Sequence, residues 1–178
     1  VTGVQTCALP ICIGFDVAEY LVHEGTSTAL SLPDWQREWG VGDPSRTPGG
    51  LLAEGPQPSP AAREVTLLQR KVGKLGAGLG KTTGWIHRAS LHMKQVRMVG
   101  GVNYERIDDA GLHISDGPER RHPRCIPCDH IVLCAGQVKQ DALVGALQAL
   151  PGAPRVHVIG GAAEAGELDA KRAIDQAV

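Results

Sequence analysis

The stretch VTGVQTCALPICIGFDVAEYL, residues 1–21, decides how the fold is read. Its second half places apolar side chains at helical spacing, at Ile13, Val17, Tyr20 and Leu21. Gly14 begins this helix, as in the last part of a dinucleotide-binding turn, where a pyrophosphate lies against a helix N-terminus. The front half of such a turn is a hydrophobic strand ending in two more glycines, and the segment before Ile13 does not have this pattern. The stretch therefore predicts a nucleotide-binding helix whose first strand is missing.

The bulk composition is that of a globular protein. With 178 residues, 42% of them hydrophobic and 21% charged, the chain can hold one domain with a core, or one domain plus part of another. The net charge of -1 argues against a nucleic-acid partner recognised through bulk charge. No apolar run approaches the roughly 20 residues that a membrane span needs. Five cysteines without a disulfide-framework spacing favour a reducing cytoplasm. From the net charge and the lack of a long apolar run, we expect neither a nucleic-acid nor a membrane partner.

Beyond the first helix, the order of the segments indicates an α/β fold. Residues 24–63 are rich in Gly, Pro and Ser, which predicts a surface insertion with one short helical stretch around Trp35–Trp39. The remaining pattern is strand, helix, β-meander, strand, helix, strand and helix. Buried strands are expected at 129–134 and at Val156–Gly161, and the basic segment GPERRHPR, residues 117–124, is expected to be a loop. This alternation predicts a mostly parallel, doubly wound, Rossmann-like sheet with a meander crossover.

Two other motifs are weaker than they look. GAGLGKTT, Gly76–Thr83, resembles a phosphate-binding P-loop, but Leu75 occupies the position of the first glycine that the Walker pattern requires. Cys125 and Cys128 form a C-x-x-C pair flanked by histidines, yet a zinc site usually needs a second pair at matching spacing. We therefore expect no ATP-hydrolysing P-loop, and we interpret the cysteines as part of a loop that enters a strand.

The end of the second predicted strand is more informative. Its apolar run stops at Gln69, and Arg70 and Lys71 follow directly. In a dinucleotide fold this position meets the adenosine ribose, where a basic residue accommodates the 2′-phosphate of NADP. The separation from Gly14 exceeds the usual distance of about 20 residues, and the insertion accounts for the excess. A solvated basic strand end is the alternative, but position and sign together favour NADP.

Small residues end two further predicted strands. Gly136 closes VLCAG, where small side chains would let a bound dinucleotide approach the carboxyl end of the sheet. Gly161 closes VHVIGG and precedes a helix whose N-terminus could face the electron-rich edge of a flavin. Close packing of a helix on a strand would explain either pattern without a ligand.

Together these segments resemble one family. IGFDVAEYL, EWGVGDP, VTLLQRK, GLGKTTGWIHR, NYERIDDAGLH, VLCAGQ and IGGAAEAGELDAKRAI are similar to the C-terminal region of bacterial NADPH-dependent 2,4-dienoyl-CoA reductase, over Ile13–Val178. Members of that family are iron–sulfur flavoproteins. An N-terminal β/α barrel carries FMN and the substrate site, a 4Fe–4S cluster follows, and the C-terminal half binds FAD and NADPH. The resemblance implies that residues 12–150 are an NADPH-binding domain and that residues 151–178 are the last strand and helix of an FAD domain.

The resemblance also implies the site residues. Nine are carried over to this chain as cofactor-binding: Gly14, Arg70, Lys71, Gly136, Gly161, Ala162, Asp169, Ala170 and Lys171. Gly14 would be the third glycine of the NADPH turn, and the basic pair would hold the 2′-phosphate. Gly161 and Ala162 would lie near the FAD ribityl and pyrophosphate, and the backbone around Asp169–Lys171 would meet the isoalloxazine. After CAGQ the family continues Glu-Pro, whereas this chain has Val138 and Lys139, which weakens the assignment of Gly136.

The same family pattern explains the first residues. It requires glycines at positions 9, 11 and 12, where this chain has Leu9, Ile11 and Cys12. Residues 1–11 match the translation of a common sequencing adapter, so we expect them to be non-native and Cys12 to replace a glycine. The barrel, the FMN site, the cluster cysteines and the catalytic acids would belong to a missing N-terminal part of the same polypeptide.

The sequence therefore predicts a fragment of a dienoyl-CoA reductase. It would be the module in which FAD accepts a hydride from NADPH for the reduction of unsaturated acyl-CoA in fatty-acid β-oxidation. By itself the fragment is expected to be inactive, and no catalytic or metal-binding residue is assigned to it. The same module of another iron–sulfur flavin oxidoreductase, and a non-redox nucleotide- or zinc-binding module, remain the alternatives.

Overall fold

A computed structural model describes residues 2–7, 11–134, 136, 138–166 and 170–177. The chain divides into two compact units, Val1–Cys134 and Ala135–Val178, which we call the first and second units. No helix within the described ranges is long and apolar enough to cross a membrane.

The first unit is built on a four-stranded parallel sheet. Its strands are β1 (Thr2–Cys7), β2 (Glu64–Gln69), β3 (Arg97–Gly100) and β7 (His130–Cys134), in the order β3-β2-β1-β7. All three pairings are parallel. This order, in which the chain moves outward from a central first strand and then returns to its other side, is that of a dinucleotide-binding sheet. The predicted α/β class, with a mostly parallel sheet, is confirmed at this level.

The strand β1 differs from the expectation that the first strand is missing. Thr2–Cys7 lies between β2 and β7 and pairs with both strands. Gly3 lies opposite Val65 of β2, and Cys7 lies opposite Cys134 of β7. Backbone hydrogen bonds of a sheet require an extended chain rather than particular side chains, and Val and Thr favour that conformation. The pairing therefore carries no information about the origin of residues 1–11.

Helices cover one face of this sheet. α1 (Ile11–Val22) and α3 (Gly84–Met93) pack there over Val65 and Leu67 of β2. The buried residues that they and the neighbouring loop contribute are Phe15, Ala18, Val22, Leu75, Leu79 and Leu91. The helical spacing from Ile13 to Leu21 predicted the helix but not its buried face, because Ile13 and Tyr20 are 41% and 78% exposed. The residues buried against the sheet are Phe15, Ala18 and Val22.

An antiparallel β-meander covers the opposite face. β4 (Val102–Asp108), β5 (Gly111–Asp116) and β6 (Arg121–Ile126) form a three-stranded sheet in that order. Leu68 of β2, the neighbour of Leu67, faces this side and packs with Val102, Leu112 and Ile114. Successive residues of a strand point to opposite faces, so β2 joins both cores. The predicted meander is confirmed, and in the first unit it takes the place of the helices that cover the second face of a doubly wound sheet.

The prediction of a loop at residues 117–124 was wrong, because β6 begins at Arg121. Pro123 lacks a backbone N–H, which is tolerated on the edge strand of a sheet, and β6 is such an edge. The register shifts between Ile114 and Asp116 of β5, opposite this segment. In the sequence, a proline and several charged residues indicate a loop. In the structure, backbone pairing with one neighbouring strand, β5, is enough to form a strand.

The prediction of a buried strand at 129–134 was wrong in its burial. β7 lies at the open edge of the parallel sheet, and Leu133 is 68% exposed. Ile131 lies on the same side of the strand and packs against the meander core. The meander therefore covers β7 as far as Ile131 but not Leu133.

The insertion contains α2 (Leu32–Trp39) and two short 3₁₀ helices, Thr28–Leu30 and Pro48–Gly50. The Ser31 hydroxyl caps α2 by accepting from the Asp34 N–H. Lys94, which follows α3, holds the insertion: its buried ammonium donates to the Ser59 carbonyl at 2.8 Å and lies 3.4 Å from Glu38.

The second unit contains α4 (Ala142–Gln148), a 3₁₀ turn at Gly160–Ala162 and α5 (Ala170–Ala177). The strand predicted at Val156–Gly161 does not form. A strand exists only when a neighbour accepts and donates its backbone hydrogen bonds, and the described residues of this unit include no other strand. The prediction of a last strand in residues 151–178 is therefore corrected, while the helix after it is present.

Candidate nucleotide-binding site

The carboxyl ends of the four parallel strands share one edge of the sheet, and Arg70 and Lys71 lie there. They directly follow β2, and both side chains are exposed. The Lys71 carbonyl accepts from the Gly101 N–H at 3.1 Å and from the Gln69 side-chain amide at 2.8 Å. The backbone that carries the two cations is thus tied to the end of β3, while their side chains remain available to an anion.

Gly14 does not begin the helix as expected, because α1 begins three residues earlier, at Ile11, and Gly14 is buried in its first turn. Next to it, Phe15 packs under the loop that follows β2. A Cβ on Gly76 would stand 2.8 Å from the Phe15 ring, and Gly76 also has a positive φ of 70°. Gly76 therefore has to be glycine for two reasons, and its contact with Phe15 fixes the loop against α1.

A cleft of about 510 Å³ opens between this loop, α3 and the end of β3. Trp85, Arg88 and His92 of α3 line one side, and Lys74 lines another. Trp85 is 57% exposed, and Arg88 donates to the Gly76 carbonyl at 2.8 Å. An exposed indole beside cationic side chains suits a flat ring that carries a negative charge. No motif in the sequence predicted this cleft, although the aromatic and basic residues of GWIHR were a possible signal.

The segment Gly76–Thr83 does not form a P-loop. Its backbone groups bond within turns, from the Leu79 N–H to the Gly76 carbonyl and from the Gly84 N–H to the Gly80 carbonyl. α3 begins at Gly84, beyond the lysine and both threonines, whereas a Walker loop leads into its helix at these residues. This agrees with the interpretation made from the missing glycine.

The cysteine pair lies at the meander. Cys125 is in β6, and its thiol donates to the Ala110 carbonyl at 3.3 Å. Burial raises the pKa of the Cys128 thiol, which disfavours the thiolate that binds metals. Among the described residues, these cysteines form no cluster of three potential ligands with His122 or His130.

The site residues predicted in the second unit have few neighbours. Gly136 has a φ of 105°, which favours glycine, and is exposed. Gly161 and Ala162 lie in the 3₁₀ turn, and a Cβ on Gly161 would meet nothing within 4 Å. Ala170 begins α5, followed by the exposed Lys171. The prediction for Asp169 lies outside the described residues.

A separate cluster joins α1 and α3. Asp16 and Glu19 are on α1, and His87 is on α3, with its Nδ1 3.0 Å from Glu19 Oε1. Burial raises the pKa of Glu19, opposed by the hydrogen bond and charge of His87. This cluster could not be predicted from local spacing, because 68 residues separate Glu19 from His87.

No family model matches the chain. Among solved structures, the chain is similar to 2-naphthoyl-CoA reductase in complex with 2-naphthoyl-CoA, with a TM-score of 0.61 and 20% sequence identity. The match covers 98% of this chain and 20% of that protein, so the chain spans about a fifth of its length. At this identity the similarity shows the fold: a mixed α/β arrangement, with parallel and antiparallel sheets, that also occurs within a reductase of a CoA thioester.

Proposed function

We propose that this chain is the NADPH-binding part of a flavin-dependent oxidoreductase. One observation carries the proposal: Arg70 and Lys71 extend from the carboxyl end of β2, beside the central strand that leads into α1. In sheets of this order the pyrophosphate lies at the start of the first helix and the adenosine ribose at the end of the second strand. A basic pair at that strand end supports NADP over NAD.

The residues present fit the phosphate groups of NADPH. Two exposed cations provide charge-assisted donors for the 2′-phosphate, and the buried Gly14 adds no side chain to the first turn of α1. NADPH would supply a hydride, and the chain's contribution is to bind and orient the cofactor. The fit to FAD is different, because open space surrounds Gly161, and no step through the flavin follows from the second unit.

The substrate class rests on the resemblance to 2,4-dienoyl-CoA reductases over Ile13–Val178. We propose reduction of an unsaturated acyl-CoA by the whole protein, with FAD, FMN and an iron–sulfur cluster as further cofactors. The second candidate is reduction of another CoA thioester, because one similar solved structure is a 2-naphthoyl-CoA reductase. The NADPH module would do the same work in both cases.

The decisive experiment compares NADPH and NADH binding to the full chain by calorimetry. Reversing both charges, Arg70→Glu with Lys71→Glu, should weaken NADPH binding by at least about tenfold, the equivalent of one charge-assisted hydrogen bond. NADH lacks the 2′-phosphate and should be affected much less.

Arg97→Glu is the matched control, since Arg97 is an exposed base at the amino end of β3, on the opposite edge of the sheet. It should leave both affinities unchanged. Equal losses of NADPH and NADH in the double variant, or a preference of the wild type for NADH, would refute the proposal.

A further inference from the structure

We propose that Asp16, Glu19 and His87 form a binding site for one divalent first-row transition-metal ion. The site lies between α1 and α3 and is independent of the proposed NADPH site.

The spacing of the donor atoms is that of metal ligands. One atom from each of the three side chains lies within 4.8 Å of the other two, and His87 Nδ1 is 3.0 Å from Glu19 Oε1. Ligands bonded to a metal at about 2.1 Å are about 3.0 Å apart when they are adjacent in an octahedral shell and about 4.2 Å apart when they are opposite. The three atoms therefore surround a point that an ion could occupy after small side-chain rotations.

The two helices hold the ligands in place. Asp16 and Glu19 are three residues apart, which puts them on one side of α1. Phe15 and Ala18, which directly precede Asp16 and Glu19, are buried in the core shared with α3. On α3, Leu91 is buried one turn after His87. Ligands carried by packed helices lose little freedom on binding, so the site is preorganised.

The charges of the cluster also favour a cation. Two carboxylates converge on one imidazole, and the side chains of Glu19 and His87 are only 30% and 33% exposed. Asp16 forms none of the ion pairs recorded within the described ranges, and its carboxylate is open to solvent. A divalent ion would compensate both carboxylates, and water would complete its coordination through the exposed side.

The ligand types select the class of metal. Carboxylate oxygens with one imidazole nitrogen suit Mn²⁺, Fe²⁺ or Zn²⁺, whereas Ca²⁺ prefers oxygen ligands throughout. His87 would bind the ion through Nδ1 as a neutral ring. The hydrogen bond between His87 and Glu19 would then be replaced by one bond from each of these residues to the ion. No covalent or redox step is implied.

Mn²⁺ is the suitable probe, because the thiols of Cys125 and Cys128 prefer softer ions such as Zn²⁺. Electron paramagnetic resonance of free Mn²⁺, titrated with the full chain after treatment with a chelator, should show one bound ion per chain. Glu19→Gln and His87→Gln should each weaken binding by roughly tenfold or more. His113→Gln is the matched control, since His113 pairs with Asp108 at 2.9 Å but lacks a second carboxylate.

Absence of saturable Mn²⁺ binding to the folded wild type would overturn the proposal, as would equal affinity in Glu19→Gln and wild type. Circular dichroism establishes whether each variant is folded. Should the half-buried variants fail to fold, Asp16→Asn decides the matter, because Asp16 is exposed and its replacement leaves the core intact. NADPH affinity in these variants should remain that of the wild type, so the two proposals fail or hold separately.

Discussion

The first and second units differ in how far their apolar side chains are buried. The first unit places Leu67, Leu68, Leu91 and Ile114 at 0% exposure in two cores on opposite faces of one sheet. In the second unit, no residue whose burial is described is buried, and Leu143 is 74% exposed. The two units thus differ in how far their apolar side chains are buried.

This difference shows where the chain supplies its own partners. Most elements of the first unit place an apolar face on another element, which is the condition for a domain. The second unit has an apolar helix, α4, and a strand-like segment, Val156–Gly161, that pairs with no strand among the described residues. The expectation that residues 151–178 belong to an FAD domain would account for this, because other strands of such a domain would provide a partner for this segment.

The largest expected contrast comes from matched truncations in the two units. Leu67→Ala should lower the free energy of unfolding by about 2–5 kcal/mol, because it empties a buried site between the helices and the sheet. Leu143→Ala should change it by less than about 0.5 kcal/mol, since Leu143 is on the surface. Urea denaturation followed by circular dichroism measures both. Equal effects would mean that the second unit shares the cooperative core, and the contrast between units would be lost.

A smaller contrast concerns two lysines. Lys94→Met should cost about 1–3 kcal/mol, because it leaves the Ser59 carbonyl and the half-buried Glu38 without their buried donor. Lys139→Met in the second unit removes an exposed pair with Asp141, 2.7 Å apart, and should not move the urea midpoint. Protease cleavage within residues 24–63 should also become faster in Lys94→Met, as the insertion loses its attachment. An unchanged cleavage rate would show that other contacts hold the insertion.

The smallest effect is a dependence on pH. A hydrogen bond from Arg124 lowers the pKa of Asp116 in the meander, and one from Lys139 lowers that of Asp141 in the second unit. A lowered pKa contributes stability above the unfolded value, near 3.8, that is lost as the pH falls through the folded value. Asp116→Asn should therefore flatten the loss of stability below that pH, because Arg124 meets Asp116 only when β5 and β6 are paired. Asp141→Asn should have little effect, because Lys139 is two residues away and this exposed pair can also form in the unfolded chain. Urea midpoints measured across this acid range test both, and equal flattening in the two variants would contradict the prediction.

Local signals in the sequence predicted many of the elements. The spacing from Ile13 to Leu21 corresponds to α1, and the charges at Arg70 and Lys71 mark the end of β2. Where the prediction failed, the deciding contact was distant. Pro123 lies in a strand because β5 pairs with β6, and Val156–Gly161 is no strand because none of the described residues pairs with it. Sequence patterns report a preference for a conformation, whereas pairing depends on a partner elsewhere in the chain.

The sequence by itself determined the α/β class, the amphipathic helix after the first turn, the basic end of the second strand and the polar insertion. These depend on side-chain periodicity and charge over a few neighbouring residues. Only the tertiary structure decided that Thr2–Cys7 takes the central position, that β2 faces two cores, and that Glu19 meets His87. Such contacts join residues far apart in the chain, and their positions are set by how helices and strands pack to remove apolar surface from water.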